Sequence, residues 1–167
     1  MRPVIEISPR DLVDRIRQNV PEELQDRRQW CMWKISGDRK VPLSAHGGYA
    51  SCTDPRTWSV FDVAAEAFLK NSHVCRGFNL ATGAGLAGMD LDDVVVNGTV
   101  SSLMELFLNH LLGSYTELSP SGTGLHSFFL CDLPHENRKT ATVELYFQSH
   151  FLSVTGDVFQ GRDRLRT

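Results

Sequence analysis

The sequence predicts an α+β domain with a largely antiparallel sheet, and three observations carry that expectation. Amphipathic helical spacing is confined to the first half of the chain and one segment near 100–112. Short strand-like runs dominate after Gly77. Glycines at 83, 85, 98, 122, 124 and 156 punctuate those runs at turn spacing. Helices first and several consecutive strands later is the α+β order, not the alternating order of a parallel sheet. With 167 residues, 41% of them hydrophobic, and a net charge of −3, the chain suits one folded domain with a real core. The same figures exclude a disordered tail, a coiled coil and a collagen-like chain.

Taken in order, Ser8-Pro9 reads as helix cap and first helical residue, with Leu12, Val13 and Ile16 as the apolar stripe. Pro21 restarts a short helix through Leu24. Gln29 to Ile35 is an aromatic-rich strand, and Gly37 to Gly48 a loop holding Lys40 and Pro42. Asp54-Pro55 opens a second helix, on which Trp58, Phe61, Ala65, Phe68 and Leu69 fall at core spacing. Strands are predicted at Gly77–Ala81 and Leu86–Val94, then a helix near Val100–Leu112. Further strands follow at Tyr115–Leu118, Leu125–Leu133, Thr142–Phe147 and Phe151–Thr155. A helical first half and a strand-rich second half suggest two lobes of one domain.

No apolar run approaches the ~20 residues of a membrane span, and the N-terminal residues hold no apolar stretch with a cleavage site. Cys31, Cys52, Cys75 and Cys131 form no CxxC pair, which leaves reduced thiols in a cytoplasmic protein as the plain expectation. Charge is unevenly spread. Residues 1–40 carry nine basic and seven acidic side chains, residues 41–137 three and ten, and residues 138–167 five and three. The net charge of −3 argues against nucleic-acid binding by sheer positive charge, and a central segment at −7 asks whether its acids are solvated surface or converge in part on a cation.

Three segments hold candidate chemistry. In Gly88-Met89-Asp90-Leu91-Asp92, strand alternation puts Asp90 and Asp92 on one face, a costly arrangement unless a cation neutralises it. Mg²⁺ or Mn²⁺, hard ions with oxygen ligands, would do so; read alone, the segment also describes an acidic strand end turning into solvent. In Ser119-Pro120-Ser121-Gly122-Thr123-Gly124-Leu125-His126, two glycines and several hydroxyls let backbone N–H groups approach an anion. His126 can donate to a phosphate oxygen, or it is a satisfied core histidine after a hairpin turn. The third segment, Val143 to Phe147, carries Glu144, which matters only if its strand lies beside that of Asp90 and Asp92. Three carboxylates would then meet, as two-metal phosphoryl transfer requires.

DxD, a Ser/Gly-rich loop ending in His, and a carboxylate on a strand, in that order, resemble the archaeo-eukaryotic primase superfamily, nearest to the primase-polymerase domains of phages, plasmids and mobile elements. Trp30, Trp33, Lys40-x-Pro42, Ala50-Ser51, Thr53-Asp54-Pro55 and Trp58 join the likeness, as do Phe78 to Ala81 and Phe151-x-x-Val154-Thr155-Gly156. Together they span roughly residues 21–156.

The resemblance implies a two-lobed domain: an α/β N-terminal lobe over about 1–76, an RRM-like palm of largely antiparallel strands over about 77–156, and 157–167 as a basic tail or the start of a further C-terminal region. It implies that Asp90, Asp92 and Glu144 are catalytic and hold Mg²⁺ or Mn²⁺ in a two-metal site. His126, Ser121, Gly122 and Gly124, with Lys40 as the weaker transfer, would bind the nucleotide. The activity implied is template-dependent nucleotidyl transfer, as DNA primase or DNA polymerase, on single-stranded DNA with NTPs or dNTPs. A helicase or helical accessory domain, in cis or in trans, is the implied partner. Related domains often carry Arg where this chain has His150, and a neutral imidazole does not replace a guanidinium. The rival expectation is a catalytically silent nucleic-acid-binding or replication-initiation module on the same fold. A replication-initiator nuclease would need a close His pair, which the sequence lacks.

Overall fold

In the computed structural model, which describes residues 7–112, 114–132 and 135–166, the chain begins as its capping residues dictate. The Ser8 hydroxyl accepts from the Asp11 N–H at 3.1 Å, and Pro9 opens α1 (Pro9–Asn19) where no N–H is needed. α2 (Glu22–Gln25) is a single turn behind Pro21. β1 (Trp30–Ser36) turns at Gly37-Asp38 and returns as β2 (Arg39–Leu43), so the expected loop 37–48 contains a strand. Gly37, at φ +64°, allows the tight hairpin, and Pro42 is tolerated because β2 is the edge of its sheet.

The second long helix starts later than Asp54-Pro55 signals. Asp54 caps only a 3₁₀ turn, Pro55–Thr57. Beyond it Trp58 donates its indole N–H to the Ser51 carbonyl at 2.7 Å, and Ser59 exchanges two 2.9 Å backbone hydrogen bonds with Trp30. Those contacts hold the chain extended until α3 (Phe61–Lys70) begins. There follow β3 (Cys75–Ala81), β4 (Leu86–Leu91) and α4 (Ser102–Phe107), which runs into a π turn over Leu108–Leu112. β5 (Thr116–Leu118), β6 (Leu125–Leu130), β7 (Arg138–Lys139), β8 (Val143–Tyr146) and β9 (Phe151–Val154) complete the chain. The strand expected over Leu125–Leu133 ends at Leu130, and Leu133 lies outside the described residues. β7 has no counterpart among the expected strands, because two charged residues carry no alternation.

Two sheets result, ordered β2-β1-β3-β9 and β5-β6-β4-β8-β7. Every pairing is antiparallel, as the α+β expectation requires. β3 and β9 follow α3 in the chain yet complete the sheet begun by β1 and β2. One core lies between that sheet and α1 and α3, built on Ile16, Trp30, Phe61, Phe68, Phe78 and Leu152. Burial of each such side chain contributes roughly 1.5–3 kcal/mol. A second core, Met89, Leu91, Val95, Leu108 and Leu125, fills the space between the five-stranded sheet and the α4 segment. The five-stranded sheet is thus apolar on its α4 face; on the other, Leu86 and Phe128 join the first core and polar residues gather toward the Asp90 end. The two sheets meet at Gly88, where a Cβ would fall 2.3 Å from Leu152 Cδ1. Among the described residues no helix is long and apolar enough to cross a membrane.

Candidate active site

Cross-strand register assembles the site. On β4, Asp90 is directly opposite His126 of β6 on one side and Glu144 of β8 on the other. His126 is opposite Glu117 of β5, and Glu144 opposite Lys139 of β7. One row therefore crosses all five strands as Glu117, His126, Asp90, Glu144, Lys139. Residues in register point to the same face, so these groups share the face turned away from the α4 core. Glu117 is fully buried at one end of the row, while the side chain of Lys139 at the other is 72% exposed.

The charges alternate along much of the row. His126 Nδ1 lies 2.7 Å from the Ser153 carbonyl of β9, and Nε2 lies 3.4 Å from Asp90 Oδ1. A carbonyl only accepts, so Nδ1 is the donor. Burial by itself would lower the His126 pKa. The hydrogen bond with Asp90, the charges of Asp90 and Glu117, and the Ser153 carbonyl outweigh burial and raise it. Glu144 accepts from Lys139 and from the Tyr146 hydroxyl, and those two contacts hold its pKa below the usual glutamate value. Tyr146 in turn stacks on His150, centroids 3.5 Å apart, and burial lowers the His150 pKa.

Asp92 departs from the expectation that it shares the strand face of Asp90. β4 ends at Leu91, and Asp92 stands exposed in the turn, its N–H donating to the Thr142 carbonyl at 3.1 Å. It remains electrostatically part of the group. Desolvation, then the charges of Asp90, Glu144 and Asp93, raise its pKa.

The Ser119–Gly124 loop docks beside this turn. The Thr123 hydroxyl donates to Asp93 Oδ1 at 3.1 Å, and Val95 N–H donates to the Thr123 carbonyl at 2.9 Å. Ser121 is exposed, its hydroxyl 3.0 Å from those of Ser119 and Thr123. Gly122 takes φ +75°, and Gly124 passes so near the Leu91 carbonyl that a Cβ would lie 2.7 Å from its oxygen. Lys40 reaches in from β2. Its ammonium donates to the Ser153 hydroxyl at 3.1 Å and sits 4.8 Å from the centre of the Trp33 ring. Desolvation lowers its pKa while the charge of Asp90 opposes the shift.

Asp90, His126 and Glu144 are thus neighbours in one row, with Asp92 and the glycine loop at its rim and Lys40 reaching it from the other sheet. Glu117, Lys139 and Ser153 join the site although none was among the residues expected there from the sequence. The sequence signal for Glu117 is an acid inside the short strand-like run Tyr115–Leu118. Lys139 and Ser153 carry no local signal, because only the strand order brings them in.

Among the described residues no three Asp, Glu, His or Cys side chains converge closely enough to hold a metal ion as they stand. The oxygens of Glu144 are turned to Lys139 and Tyr146, and Asp90 faces His126. The donor chemistry nevertheless fits a hard divalent cation: two carboxylates in register on adjacent strands and a third raised in pKa partly by their charge.

No protein-family model matches the chain. Over 146 residues, 83% of its length, it is 34% identical to a DNA primase-polymerase of Nitratiruptor phage NrS-1. The match covers 20% of that protein, so the chain spans about a fifth of the length of the curated relative.

Proposed function

We propose that this chain is the nucleotidyl-transferring domain of a template-dependent DNA primase or polymerase of the archaeo-eukaryotic kind, serving a phage, plasmid or other mobile element; its 34% identity over 146 residues to a phage DNA primase-polymerase supports the reading. The observation that carries the proposal is the register of Asp90 with both His126 and Glu144. In this reading the five-stranded sheet is the palm, and the four-stranded sheet with α1 and α3 is the other lobe. The template is single-stranded DNA, the substrates are NTPs or dNTPs, and the setting is the cytoplasm. A helicase or helical accessory region, in cis or in trans, is the partner.

Asp90, Asp92 and Glu144 would hold Mg²⁺ or Mn²⁺, which in a two-metal arrangement acidifies the attacking 3′-hydroxyl and neutralises the triphosphate. The remaining roles belong to the chain itself. Glu144, which accepts from Lys139, would release that contact to hold the ion with Asp90 and Asp92. His126, fixed through Nδ1, uses Nε2–H to donate to a phosphate oxygen. The Ser121 hydroxyl and the N–H groups of Gly122 and Gly124 offer further donors beside it. Lys40 brings a positive charge from the opposite sheet.

The test is to incubate the chain with single-stranded template, with and without primer, and labelled NTPs or dNTPs in Mg²⁺ or Mn²⁺. Products without primer identify a primase, and products only with primer a polymerase. No product under any condition refutes the proposal in favour of a silent DNA-binding module. In an active chain His126→Ala should raise the nucleotide KM more than it lowers kcat; an unchanged KM removes its assigned role.

A further inference from the structure

Glu117 is a fully buried carboxylate that the proposed chemistry does not use. Burying an acid is costly, and an apolar residue would serve if packing alone were needed. Three donors surround it instead. The Tyr115 hydroxyl reaches Oε2 at 2.7 Å, the Gly156 N–H reaches Oε2 at 2.8 Å, and the Thr155 N–H reaches Oε1 at 2.8 Å. All three partners donate, so the ionised form, which only accepts, satisfies every one of them.

Those two amides belong to the turn that leaves β9, and the turn is held elsewhere too. The Thr155 hydroxyl donates to the Leu118 carbonyl at 2.7 Å, and Arg15 Nε donates to the Thr155 carbonyl at 2.8 Å. Gly156 lies against Ile16, whose Cα would be 3.0 Å from an added Cβ. Two residues back along the same segment is the Ser153 carbonyl that accepts from His126 Nδ1. β5 and β6 are themselves in register at Glu117 and His126. A closed path therefore runs from the Glu117 carboxylate through the amides of 155 and 156 to Ser153, and across to the imidazole.

We propose that Glu117 is a positioning residue for His126: by gripping the Thr155 and Gly156 amides it sets the Ser153 carbonyl, which orients the ring so that Nε2 faces the carboxylate row. The activity consequence rests on the reading of His126 given above; the structural consequence does not.

The test uses Glu117→Gln in the full chain. The side-chain amide keeps the size of glutamate but offers one acceptor oxygen, so one of the two backbone N–H groups loses its partner. With ¹⁵N-labelled histidine, His126 in the unsubstituted chain should show a distinct, hydrogen-bonded Nδ1–H signal, assigned by its loss in His126→Gln. In Glu117→Gln that signal should shift toward the averaged position of a mobile ring. Nucleotide KM should rise by about tenfold with kcat little changed. The Glu117→Gln/His126→Ala double variant should be no worse than His126→Ala, because both changes act through one group. A folded Glu117→Gln chain with unchanged His126 signals overturns the proposal, and so do effects that multiply in the double variant. If the substitution prevents folding, hydrogen exchange of the unsubstituted chain decides: the amides of Thr155 and Gly156 should exchange only with global opening, and rapid exchange contradicts the grip. A chain inactive on every template, whose His126 signals still respond to Glu117→Gln, keeps the positioning role and loses the polymerase reading.

Discussion

Gly122 and Gly124 sit two residues apart in one loop, and the structure gives them different reasons for being glycine. At Gly124 the constraint is space: an added Cβ would lie 2.7 Å from the Leu91 carbonyl oxygen and 3.0 Å from Ser119 Oγ. The first of these is backbone, so no rotamer change relieves it. The loop must lift from the end of β4, which strains the Gly124 N–H to Ser119 Oγ bond at 3.2 Å and the Ser119 N–H to Gly124 carbonyl bond at 2.9 Å. Losing two hydrogen bonds at about 0.5–1.5 kcal/mol each costs Gly124→Ala about 1–3 kcal/mol. At about 2–4 °C per kcal/mol for a chain of this size, Tm should fall by roughly 2–12 °C. At Gly122 the constraint is conformation: φ is +75° and nothing lies within 4 Å of an added Cβ. Gly122→Ala costs about 1–2 kcal/mol for the left-handed backbone. Asparagine adopts that backbone readily, so Gly122→Asn should recover most of the loss, whereas Gly124→Asn should be no better than Gly124→Ala. Thermal unfolding followed by circular dichroism measures all four. A Gly124→Ala chain with unchanged Tm, or rescue by asparagine at 124, refutes the assignment of space and conformation to these two glycines.

Two further predictions concern the row and the core. Lys139 would compete for Glu144 with any bound cation, and its own ammonium end is exposed, so water screens the pair. Lys139→Met should therefore tighten Mg²⁺ binding about two- to fivefold in a calorimetric titration; weakened binding would mean that Lys139 supports the cation rather than opposing it. Burial pushes the Cys31 thiol up to about 12, so its reactive thiolate is scarce until strongly alkaline pH. Iodoacetamide at pH 8 should leave Cys31 unmodified in the folded chain and modify it after denaturation. Stoichiometric labelling under native conditions would show that this core position opens.

Much of the fold and the named half of the site is legible in local sequence. Ser8-Pro9, the apolar stripe of α1, the aromatic run of β1 and the short strand-like runs of β4, β6 and β8 speak through residue types a few positions apart. β2 was obscured by Pro42, which usually argues against a strand and is acceptable only because that edge is unpaired on one side; the Gly37-Asp38 dipeptide was the signal for its hairpin. The late start of α3 depends on Ser59 pairing with Trp30, a contact 29 residues apart in sequence that no local pattern encodes. The site divides in the same way. Asp90, Asp92, His126 and Glu144 stand in short motifs, whereas Glu117, Lys139 and Ser153 owe their roles to strand order and register, which the motifs do not specify.

The proposed function requires the carboxylates on β4 and β8 to hold divalent metal for phosphoryl transfer. Manganese binding followed by electron paramagnetic resonance, with a non-hydrolysable nucleoside triphosphate present, tests it most directly. The unsubstituted chain should take up Mn²⁺, and both Asp90→Asn and Glu144→Gln should lose that binding while keeping the unsubstituted circular dichroism spectrum. Folded variants that bind Mn²⁺ as the unsubstituted chain does would show that these carboxylates do not hold the metal.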